Sequence, residues 1–95
     1  MRSKVFQYQF SQDIPMEEVQ SSMLLSIMGV ESLYGETDVH LNASHTLDVA
    51  RRTCQIDAGT AVGRDLNRLF AGFLRREFGR RKFSVKRASG PISHT

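Results

Sequence analysis

A single cysteine, Cys54, stands in 95 residues. It has no partner for an internal disulfide, and a cytoplasmic location is the expectation. No run of about 18 apolar residues occurs, so no membrane-crossing helix is expected and no membrane partner with it. The first ten residues alternate polar and aromatic side chains instead of forming the apolar block of a secretory signal. The metal motifs CxxC and HExxH are missing, as are GxGxxG and the P-loop, so the sequence predicts no metal and no cofactor. The length suits one domain and is too short for two with separate cores.

Charge is present but unevenly placed. Residues 1–60 carry four basic and eight acidic groups, and residues 61–95 carry nine basic groups against Asp65 and Glu77. The two parts thus sum to −4 and +7, which gives the net +3 of the chain. Such asymmetry fits an anionic partner, and it equally fits a solvated surface whose acidic and basic elements compensate each other after folding.

Hydrophobic periodicity divides the chain into six elements. Lys4 to Phe10 reads as a strand with Phe6, Tyr8 and Phe10 on one side. A helix follows over Pro15 to Tyr34, with Met16, Val19, Met23, Ile27, Val30 and Tyr34 as its stripe. Leu24, Met28 and Leu33 widen that stripe, Gln20, Ser22, Ser26 and Glu31 mark the wetter side, and Gly35 ends the helix. Three methionines in it, Met16, Met23 and Met28, read as adaptable core. Asp38 to Val49 alternates as a second strand, with Leu41 pointing inward and Asn42 outward. After a turn, Thr53 to Ala58 forms a third, with Cys54, Ile56 and Ala58 inward, and the two pair as a hairpin.

Thr60 then caps a second helix whose apolar face is Val62, Leu66, Leu69, Phe70, Phe73, Leu74 and Phe78, with Gly63 and Gly72 as sites for close packing and Gly79 as its stop. Lys82 to Arg87 is the last strand, with Phe83 and Val85 on one side. The fold class predicted from this order is α+β: a ferredoxin-like two-layer sandwich, βαββαβ, with a four-stranded antiparallel sheet and two helices on one face. The first and third strands are central, flanked by the fourth and second. Residues 1–87 form the domain, and 88–95 a flexible C-terminal tail.

RNA-recognition modules of this shape stack bases on aromatics of the open sheet face. Here the aromatics of the first strand belong to the core phase, Thr53, Gln55 and Asp57 face outward on the third, and the basic-aromatic RNP1 pattern is absent. Phosphate contact needs no such motif. Arg64, Arg68 and Arg75 share one helical side, and Arg76, Arg80, Arg81, Lys82 and Lys86 follow. These eight residues are the candidate anion- or nucleic-acid-binding set. The plainer reading gives the same cations to the helix dipole and to local pairs with Asp65 and Glu77.

Catalysis is not expected. A nucleophilic Cys54 paired with His45 needs both on one face with an orienting group, and Asp57 lies in the opposite phase. His40 and His45 differ in parity, which argues against a shared metal. The function expected is therefore that of a small non-enzymatic binding module, contacting nucleic acid or an acidic protein through the second helix and last strand. The alternative is a protein-interaction or homodimer-forming domain that uses the open sheet face or an edge strand.

Overall fold

The computed structural model describes residues 4–88. Among them the chain order is β1 (Val5–Phe10), α1 (Met16–Tyr34), α2 (Glu36–Asn42), β2 (Ser44–Asp48), β3 (Thr53–Asp57), α3 (Ala61–Phe78), a 3-10 turn (Arg80–Lys82) and β4 (Phe83–Ala88). The strands form one sheet in the order β2-β3-β1-β4, every neighbouring pair antiparallel. β1 and β3 are the inner strands, and β2 and β4 the edges. The protein is thus a mixed α+β fold with four antiparallel strands and three helices.

Register fixes which side chains meet. Tyr8 lies opposite Cys54 and Val85, Phe6 opposite Ile56 and Arg87, and Phe10 opposite Phe83. These belong to the helix-facing side, where Tyr8, Phe10, Cys54 and Ile56 are buried with Leu66, Phe70 and Leu74 of α3. The Tyr8 and Phe70 rings meet edge to face at 5.1 Å, and Phe83 stacks on Tyr8 at 6.1 Å. The aromatic phase read from the sequence is therefore the core phase. The other side of the sheet presents Gln7, Gln9, Thr46, Thr53, Gln55, Ser84 and Lys86, with no aromatic ring among the described residues. Val5, which alternation puts on that polar side, is nevertheless fully buried.

α3 is capped as its sequence requires. The Thr60 hydroxyl accepts from the Gly63 amide at 2.9 Å, and Gly79 closes the helix at φ 79°, its amide donating to the Arg75 carbonyl. α1 has no side-chain cap, because its N-cap position is Pro15, whose ring carries no hydrogen-bond acceptor. It begins one residue after Pro15, with Glu17 and Glu18 in its first turn.

Three expectations are corrected. The strand expected over 38–49 is only its second half, for residues 36–42 are α2. Gly35 at φ 88° ends α1, and its carbonyl accepts from Val39 to start the next helix at once. Glu36 and Asp38 sit at the positive end of α2, Val39 is its buried anchor, and Asn42 donates to Asp38 at 2.7 Å. Leu41, expected in the core, is 73% exposed, and Asn42 lies in the helix instead of on the sheet. Over residues 38–42 a period of two and a period of 3.6 both fit, and the backbone bonds from Val39 to Gly35 and from Ala43 to Val39 follow the helical one.

The second correction is the rotation of α1. Ser22 and Ser26 are buried, while Leu24, Leu25, Met28 and Leu33 are exposed. The Ser26 hydroxyl donates to the Ser22 carbonyl at 2.7 Å, so its polarity is satisfied within the helix and it packs as a small residue. A Cβ on Gly29 would lie 3.0 Å from Leu69, so the helices α1 and α3 approach closely along this row of small side chains. Third, Lys82 belongs to the 3-10 turn and Ala88 to β4. The rest of the expected tail, 89–95, lies outside the described residues.

Candidate functional site

α3 divides into a buried and a solvent side. Leu66, Phe70 and Leu74 advance by four and are fully buried. At about 100° per residue, Arg64, Arg68 and Arg75 centre about 140° round the helix from that stripe, and all three are exposed. They span twelve residues of helix, a row of about 16 Å. Arg68 reaches Asp65 at 3.9 Å, a solvated i,i+3 pair worth little. Asp65 is also the acceptor for the Tyr34 hydroxyl at 2.5 Å, which raises the Tyr34 pKa.

The structure does not gather the eight candidate residues onto one surface. Arg76 is turned about 100° from Arg75, toward α1, where it lines a groove with Glu18, Leu25, Phe73 and Glu77. Arg80 and Arg81 are exposed on the 3-10 turn, just past the end of α3. Lys82 is engaged, since its ammonium pairs with Asp13. Hydrogen bonds from Lys82 and then Ser11 pull the Asp13 carboxyl down to about 2. Lys86 lies opposite Gln7, on the polar side of the sheet and away from α3. What remains together is the row Arg64, Arg68 and Arg75, with Arg80 and Arg81 exposed beyond the C-terminal end of the same helix.

Two arginines absent from the candidate set have defined roles. Arg52, in the turn after β2 at φ 57°, donates through its guanidinium to the backbone carbonyls of Ser11 and Ile14. It fastens the β2–β3 turn to the loop that leads into α1. Arg87 lies 5.9 Å from the centre of the Phe6 ring, in cation–π range. Local sequence carries no signal for Arg52, because both its acceptors are some forty residues distant. The alternation of β4 does place Arg87 on the ring side.

Cys54 is buried between Tyr8 and Leu47, and its burial pushes the thiol up to about 12. His45 stands opposite Ile56 at the edge strand, beside a cleft with Ile27, Glu31, Glu36, Val39, His40 and Ala43. Partial burial there lowers the imidazole pKa. Asp57 is on the other side of the sheet, opposite Ser44 and Val5. Cys54 accordingly fills core space. Thiol reagents at mildly alkaline pH are expected to leave it unmodified in the native protein and to react in denaturant. Fast native labelling would place the sulfur at the surface, against this packing. No group of three or more His, Cys, Asp or Glu side chains suited to a metal ion occurs among the described residues. No described helix is long and apolar enough to cross a membrane.

Compared with protein-family models, curated proteins and solved structures, the chain matches none.

Proposed function

We propose that this protein is a non-enzymatic binding module whose α3 arginines contact the phosphate backbone of a nucleic acid. The observation that carries the reading is the exposed row Arg64, Arg68 and Arg75, on the solvent side of α3 away from its buried stripe. Guanidinium groups bind phosphates in a bidentate way, and a straight row on a rigid helix presents them without reorganisation. Contact of this kind positions the partner without reading its bases, and it weakens steeply with salt. We read its fold as a ferredoxin-like sandwich elaborated by α2. In it the helical layer does the binding, since the sheet's open side offers glutamines, threonines and serines in place of stacking rings.

Fluorescence anisotropy with labelled single- and double-stranded RNA and DNA tests the proposal. Binding is expected at low salt. The combined substitution Arg64→Ala, Arg68→Ala and Arg75→Ala is expected to weaken it by about tenfold or more and to lower the salt slope by about 2–3. Thermal stability should hold, since all three side chains are exposed. Lys86→Ala, on the far side of the sheet, is expected to change affinity little. Equal affinity for the triple variant and the parent protein would remove the reading.

A further inference from the structure

α1 presents a second surface, of opposite chemistry. Leu24, Leu25 and Met28 are 59%, 53% and 52% exposed. Their i, i+1 and i+4 spacing places them side by side on the outward face of the helix. Five of the seven large apolar side chains exposed among the described residues lie on α1 and α2, so this is a concentration and not a scatter. The rim of the patch is acidic. Residues 16–42 contain Glu17, Glu18, Glu31, Glu36 and Asp38 and no lysine or arginine at all. Beside Leu25 a groove of about 250 Å³ opens between α1 and α3, floored by Phe73 and edged by Glu18 and Glu77, with Arg76 as its one cation.

We infer that the outward face of α1 is a docking surface for an amphipathic helix that carries lysine or arginine beside its apolar stripe. Such a helix covers Leu24, Leu25 and Met28, sets an apolar side chain into the groove over Phe73, and meets Glu17, Glu18 and Glu31 with its cations. This is the helix-in-groove mode of recognition, with charge setting the choice of partner. Met28 suits it, because an unbranched thioether repacks against differing side chains.

Charge also argues against the other occupants. A second copy docked α1 against α1 brings Glu17, Glu18 and Glu31 onto the same acidic set. The basic face of α3 exposes no large apolar side chain to cover the leucines. An anionic lipid surface is repelled by the same carboxylates.

A display library of short helical peptides, selected against the whole protein, tests the inference. Enriched peptides are expected to share apolar residues at i, i+3 or i+4 and i+7, flanked by Lys or Arg. Exchange of those cations for Glu in the best peptide is expected to weaken binding by about tenfold or more, a readout that needs no variant of the protein. The pair Leu24→Glu and Met28→Glu is expected to weaken the parent peptide similarly while leaving the urea melt in place. No enrichment, enrichment of uncharged or acidic peptides, or binding indifferent to both changes would overturn it. So would a dimer by light scattering that the pair of substitutions dissolves, or flotation of the protein with anionic vesicles. Nucleic-acid binding is read separately on α3, so either surface can fail without the other.

Discussion

Phe70→Ala is expected to lower stability by about 3–5 kcal/mol, enough to leave the domain largely unfolded in mild denaturant. Phe70 is fully buried on α3, with its ring edge-on to Tyr8 at 5.1 Å and to Phe10 at 6.4 Å. Through it the helix layer meets β1, an inner strand of the sheet. Truncation loses the transfer free energy of the ring and leaves a cavity whose walls are themselves rigid rings, so collapse recovers little. Domains of this size hold a total of about 5–15 kcal/mol, so one such loss takes a large share. Phe70→Leu keeps part of the volume and should cost clearly less. Urea melts of the three proteins check the order. A Phe70→Ala midpoint close to that of the parent would contradict the two-layer packing.

The aromatic cluster was legible because it obeys a strict period. Phe6, Tyr8 and Phe10 alternate with polar residues, and Leu66, Phe70 and Leu74 advance by four. Each pattern admits one assignment. α1 was less legible, since apolar residues occur all round it and serines interrupt them. Sequence counts Ser22 and Ser26 as wet. In the folded chain a hydroxyl bonded back to its own helix lets serine serve as a small spacer, and the leucines turn outward. α2 was hidden because Val39 and Leu41 satisfy alternation as readily as a helix. Gly35 was read as the stop of α1, but its carbonyl also accepts from the Val39 amide and so starts a second helix at the same residue, which side-chain alternation does not signal.

For the candidate site, the sequence supplied the cations but not their directions. Helical periodicity was enough to align Arg64, Arg68 and Arg75. It could not show that Asp13, far away in the chain, occupies Lys82, nor that Lys86 faces the far side of the sheet. Those facts follow from the meeting of the 3-10 turn with the β1–α1 loop and from the β1–β4 register. Both are long-range consequences of the topology. The acidic, leucine-bearing face of α1 came into view only once its rotation was known.

Two glycines of α3 are expected to respond with opposite signs to the same substitution. Alanine at an exposed or roomy helix position gains about 0.5–1 kcal/mol over glycine. At Gly72 a Cβ meets nothing within 4 Å, so Gly72→Ala is expected to stabilise by that amount. At Gly63 the same atom would stand 2.0 Å from the Asp57 carbonyl oxygen and 3.1 Å from the Thr60 hydroxyl. Neither neighbour is free to move. Asp57 is paired with Val5 and Ser44 at the end of β3, and Thr60 caps the helix through the Gly63 amide. To admit the methyl, the first turn of α3 must lift from the sheet or the β3 end must leave its register. The expected net change for Gly63→Ala is therefore a loss of about 1–3 kcal/mol despite the gain in helix propensity. Thermal or urea melts of the two single variants read the signs directly. Stabilisation by both would mean that α3 stands farther from β3 than this packing holds, and the placement of its arginine row would have to be redrawn with it.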